Sequence, residues 1–101
     1  MRRVAVTGIG AVTPIGMGAE GLWAGVLANR SAVRAVDRFD ASPFPSRIAA
    51  QIDDFRPLDH LDIKRARRLD RFSQITVAAA RMAIGQSCLS EADHGDRRTG
   101  I

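Results

Sequence analysis

One stretch limits the folds open to this chain more than any other: Leu61 to Gln86, LDIKRARRLDRFSQITVAAARMAIGQ. It holds the longest run of helical periodicity and opens on a dense basic cluster. At about 3.6 residues per turn, Lys64, Arg67, Arg68 and Arg71 stand at i, i+3, i+4 and i+7 and share one face. Leu69, Phe72, Thr76, Ala79, Ala80 and Ala83 recur on a neighbouring arc. The pattern predicts one continuous helix, anchored in a core along the apolar arc and presenting positive charge at its exposed beginning.

The preceding residues supply smaller elements. Arg2–Gly10, RRVAVTGIG, has the β-branched content and abrupt glycines of a buried strand ending in a tight turn. Gly8 and Gly10 start a dinucleotide-type G-x-G-x-x-G, but Thr13 takes the third glycine's place and Pro14 interrupts the helix that should follow. The better reading is a strand-to-loop turn, stiffened by Pro14 and Gly16. Ala19–Asn29 reads as an amphipathic helix with Leu22, Trp23, Val26 and Leu27 as its core stripe and Asn29 as its stop. Residues 30–46 form a connector, beneath which Phe39 and Phe44 are expected to tuck. Arg47–Ile52 is a short strand candidate ended by Asp53-Asp54, and Pro57 opens one turn of helix. The central helix should end between Gly85 and Leu89, before a polar turn at Ser90–Gly95. Arg97–Ile101 reads as the start of a further strand, which points to a domain longer than 101 residues.

Composition removes several classes of function. The longest uncharged runs are too short, or too rich in Gly and Pro, to span a bilayer, and Met1-Arg2-Arg3 leads into no signal-peptide pattern. The expectation is a cytoplasmic protein without membrane contact. A single cysteine, Cys88, precludes an internal disulfide and leaves no thiol pair for zinc. Cys88 reads as a buried structural thiol, and His60 and His94 as surface side chains. A net charge of +4 and a pI near 10.9 raise nucleic acid as a partner. Against it, tyrosine is absent and the phenylalanines are not interleaved with the basic cluster.

Five segments in register then resemble one family. Arg2–Gly10 with Thr13-Pro14-Ile15-Gly16 is similar to the opening of the β-ketoacyl-acyl-carrier-protein synthases. Arg38-Phe39-Asp40-Ala41-Ser42 with Phe44-Pro45, Arg47-Ile48-Ala49-Ala50, Arg67–Gln74 and Arg98–Ile101 follow in family order. The resemblance implies an α/β chain forming the leading part of the first half of a thiolase-like sandwich, so that residues 1–101 would be an incomplete N-terminal domain. It implies decarboxylative Claisen condensation with malonyl-carrier protein, in fatty-acid or polyketide synthesis, by an acyltransferase that works as a homodimer. The cysteine nucleophile and both histidines of that chemistry would lie beyond Ile101, leaving these residues inactive alone and without a catalytic role for Cys88.

What the resemblance carries onto this stretch is a partner surface. Lys64, Arg67 and Arg68 match cations that receive the acidic recognition helix of the acyl carrier protein, and Arg65 and Arg71 are additional candidates. No cofactor or metal is expected on the chain itself, since the phosphopantetheine arm belongs to the carrier. From pattern alone, the stripe is equally a solvated face balanced by Asp59, Asp62 and Asp70. Two other functions stay open: a non-condensing chain-length factor with the same surface, and a small basic nucleic-acid-binding module.

Overall fold

The computed structural model describes residues 1–89. The chain first turns on itself in a tight hairpin. β1 (Val12–Thr13) pairs antiparallel with β2 (Gly16–Met17), Val12 opposite Met17 and Thr13 opposite Gly16. Thr13 Oγ1 fastens the turn, accepting from Gly16 N at 3.1 Å and donating to Gly16 O at 2.6 Å. α1 (Gly18–Leu27) follows at once. It ends as Asn29 predicts. Asn29 takes a left-handed φ of 50°, its N–H donates to Val26 O, and Arg30 N donates to Gly25 O, each at 3.0 Å.

α1 rests on the hairpin through its smallest face. A Cβ on Gly25 would lie 2.5 Å from Ile15 O, so backbone meets backbone there and Gly25 is buried. Of the expected core stripe, Leu22 is half-buried and the other three residues point the other way. Trp23 is 62% exposed, and Val26 and Leu27 are exposed with it. Side-chain size predicted the wrong face, because close approach to the turn needs glycine rather than bulk.

The second pair of strands joins the strand expected at Arg47–Ile52 to a partner inside what the sequence presents as a connector. β3 (Val33–Ala35) runs antiparallel to β4 (Ile48–Ala50), with Arg34 opposite Ala49. Three residues interrupted by an arginine carry almost no strand periodicity, and β3 exists through its partner. Arg34 then bonds both Asp37 and Asp53, and Arg38 bonds Asp53 and the carbonyl of Ile52. Phe39 and Phe44 do not tuck under the connector. Both are exposed and pack edge-on against each other, 5.9 Å between centroids.

Arg2–Gly10 forms no strand among the described residues, since none of their strands lies beside it. Val4 and Val6 are exposed. The segment lies instead along the last helix, α3 (Arg71–Ser87). Ile9 N donates to Gln86 Oε1 at 2.7 Å, and a Cβ on Gly10 would sit 1.7 Å from Ala79 O. The glycine pair thus allows a backbone to lie on a helix. A 3-10 turn at Pro57–Asp59 and the short α2 (Ile63–Arg68) complete the elements. The readings for Ser90–Gly95, His94 and Arg97–Ile101 lie outside the described residues.

Among the described residues, buried apolar side chains are few: Ala11, Ala41, Phe55, Leu61 and Ala78, with Phe55 at 3% and Leu61 at 4% exposure. Three of the five are alanines, so burial contributes little per residue. Expressed alone, the 101-residue chain is therefore expected to melt without a cooperative transition and to bind a hydrophobic dye at room temperature. A sharp thermal transition by circular dichroism would show that these contacts suffice.

Candidate functional site

The predicted long helix is two helices with a bend between them. α2 begins at Asp62, whose carboxylate accepts from Arg65 N at 2.9 Å as a side-chain cap. It stops at Leu69, where φ −102° and ψ 139° are extended. Asp70 then caps α3, accepting from Ser73 N at 3.2 Å. An aspartate that satisfies the N–H three residues on starts a helix more readily than it continues one. The signal was present in Asp70-Arg71-Phe72-Ser73, but the unbroken apolar arc outweighed it.

The bend sorts the cations. Lys64, Arg65, Arg67 and Arg68 are all exposed on α2. Arg65 pairs with Asp62, Nε to Oδ2 at 3.4 Å. Lys64, Arg67 and Arg68 make no ion pair or side-chain hydrogen bond among the described residues. Asp70 is spent on its cap and Asp59 pairs with none of them, so the balancing acids expected from sequence do not neutralise this face. Cations in a last helical turn also oppose the partial negative charge of that end, which accounts for part of their placement.

Arg71 does not join them. Its guanidinium donates to Ile52 O at 2.7 Å and lies over the Phe55 ring, 5.6 Å from the centroid. Phe55 in turn stacks on His60, with centroids 5.7 Å apart and planes 9° apart, while Arg81 donates to His60 O. Arg71, an additional docking candidate by sequence, is thus engaged in packing and stands apart from the α2 cations. His60 is half-buried rather than a surface side chain. Cys88 is corrected as well: it is exposed, in a left-handed cap with φ 58° at the end of α3.

Two contributors escaped the sequence reading. Phe55 is the centre of the stacked group. Gln74 spans the bend, its Nε2 donating to Ala66 O at 2.8 Å and to Leu69 O at 3.1 Å. Neither has a local signal, because both act on residues five or more positions away. No three His, Cys, Asp or Glu side chains come together as a metal site among the described residues, nor is any helix there long and apolar enough to cross a membrane. The site these residues build is an exposed cationic surface on α2.

Comparison with known proteins agrees with the motifs. The family described as β-ketoacyl synthase, N-terminal domain, matches residues 1–101. The chain belongs to this family. The 3-oxoacyl-[acyl-carrier-protein] synthase 2 of Coxiella burnetii is 41% identical over 100 residues, covering 99% of this chain and 24% of that protein. The enzyme of the same name from Synechocystis is 40% identical over 88 residues, covering 87% of the chain and 21% of the relative. A solved ishigamide ketosynthase/chain length factor superposes with a TM-score of 0.76 at 39% identity, over 95% of this chain and 24% of its own. The β-ketoacyl synthase residues described above thus have the α/β, thiolase-like fold, and the chain spans about a quarter of the length of these relatives.

Two tests follow from the geometry of the bend. The backbone N–H of Arg65 holds the Asp62 carboxyl below its ordinary 3.8, assisted by the Arg65 charge. A depressed folded pKa means that the cap is complete above 3.8 and is lost as pH falls through the lower folded value. In full-length protein labelled at arginine nitrogen, the Arg65 amide shift should titrate with a midpoint below 3.8; a midpoint at or above it would mean that the cap does not form. Separately, Arg71→Ala should cost about 1–3 kcal/mol of stability in a denaturant titration, against less than about 0.5 kcal/mol for Arg68→Ala.

Proposed function

We propose that the protein carrying this chain is a 3-oxoacyl-acyl-carrier-protein synthase, elongating acyl chains by decarboxylative condensation with malonyl-carrier protein. Residues 1–101 act as the incomplete N-terminal part of its N-terminal domain and receive the acyl carrier protein on α2. Lys64, Arg67 and Arg68 make the principal contacts, with Arg65 at the margin. The nucleophilic cysteine and the histidines belong to the remainder of a cytoplasmic homodimer, so these residues alone have no condensing activity. Phosphopantetheine arrives on the partner.

One observation supports the docking reading above the rest: three exposed cations within two turns of a short helix, uncompensated among the described residues, in a chain whose relatives bear carrier-protein names. Such a patch favours fast, salt-sensitive and weak association, which suits a shuttling partner. A chain-length factor is the second reading, favoured by the ketosynthase/chain length factor title of the structural neighbour. A docking patch serves both, and a nucleophilic cysteine downstream separates them.

The test is charge reversal in the full-length protein. Arg67→Glu with Arg68→Glu should weaken binding of labelled holo carrier protein about tenfold or more at low salt, with the difference shrinking as salt rises. Circular dichroism should stay unchanged. Parent-like affinity in the double variant would remove the docking assignment, and tight binding of labelled duplex DNA without carrier binding would favour a nucleic-acid module.

A further inference from the structure

The bend leaves four backbone carbonyls, those of residues 66–69, without their usual helical donors, and two of them find a substitute. In an unbroken helix, Ala66 O would accept from Asp70 N and Leu69 O from Ser73 N. Here the extended backbone at Leu69 and Asp70 breaks that ladder, and Asp70 Oδ1 takes Ser73 N. Both carbonyls lie at the C-terminal end of α2, where orphan acceptors must find partners. Gln74 supplies them. Its half-buried amide nitrogen carries two protons, one directed to Ala66 O and one to Leu69 O. Because its own N–H is fixed to Asp70 O at 3.0 Å, the side chain ties α2 to the first turn of α3.

The other end of α2 is held from the same helix. Arg81 donates to His60 O, two residues before the Asp62 cap, and Leu61 between them is buried. α2 is thus a six-residue helix clamped at both ends to α3. The direction in which Lys64, Arg67 and Arg68 face depends on those clamps rather than on α2's own contacts.

Resting on the docking reading above, we infer that Gln74 is a positioning residue for carrier-protein recognition: its two hydrogen bonds fix the angle at which the α2 cations meet the partner. A preorganised face spends less of its binding energy on ordering itself. Without Gln74, the two carbonyls turn to water, α2 swings about Leu69, and the three cations no longer match the spacing of the acidic partner helix.

The experiment uses the full-length protein with two substrates. Gln74→Met keeps length and removes both donors. It should raise KM for the acyl-carrier-protein substrate about fivefold while kcat stays within about twofold. With an acyl-N-acetylcysteamine thioester, which has no protein surface to dock, KM should match the parent. Asp70→Ala loosens the same bend from the other side; it should give the same split, and it serves if Gln74→Met does not fold. A carrier KM within about twofold of parent in these variants, alongside a raised KM in Arg67→Glu with Arg68→Glu, overturns the positioning role and leaves docking standing. Equal rises with carrier and thioester also overturn it, since Gln74 would then support the whole enzyme. If the arginine reversals leave the carrier KM unchanged, both assignments fall.

Discussion

Everything distinctive in this chain depends on the helix interruption at Leu69 and Asp70. Two aspartates, Asp62 and Asp70, each cap a new helix start, and each cap is worth about 1 kcal/mol. A continuous helix would keep four more backbone bonds but would leave the Asp70 carboxylate in mid-helix among backbone acceptors. It would also stack Arg71 on the row of Arg67 and Arg68, adding like-charge repulsion one turn away. Interruption removes that conflict, and the amide of Gln74 replaces two of the donors that it loses. The fold thereby obtains two helix directions from one amphipathic sequence.

A consequence is that the arginines divide into two chemical populations. Arg38, Arg71 and Arg81 donate to main-chain carbonyls at Ile52 and His60, bracketing the segment around buried Phe55. Arg34 and Arg38 also meet the carboxylates of Asp37 and Asp53. These side chains work as forked hydrogen-bond donors, a task for which lysine is poorly shaped. On α2 the guanidiniums of Arg67 and Arg68 have no such duty among the described residues. Net charge cannot distinguish these populations, so a basic pI by itself was a poor guide to a nucleic-acid partner.

What could be read beforehand was chemistry carried by near neighbours. Asn29 as a helix stop, Pro57 as a helix opener, the stiff turn at Pro14 and the end of the last helix near Ser87 each rest on a few adjacent residues. The family motifs were legible for the same reason, being short and in register. Contacts between distant parts were not legible. β3 acquires strand character only opposite β4, Trp23 loses its core position because Gly25 approaches the hairpin, and Arg71 turns inward because Phe55 and Ile52 O await it. The exposed cations of α2 were found from spacing, although the helix that carries them was drawn too long.

Exposure itself has two meanings on this surface. Val4, Val6, Trp23 and Phe72 leave apolar area in water, at a cost of about 25 cal/mol for every Å² that a neighbour could cover. Lys64, Arg67 and Arg68 are exposed without such a cost, since hydration is the state that a cation loses least from. Apolar area and charge therefore differ in what exposure costs them: Val4, Val6, Trp23 and Phe72 are stabilised by any neighbour that covers them, whereas the α2 cations are stable bare.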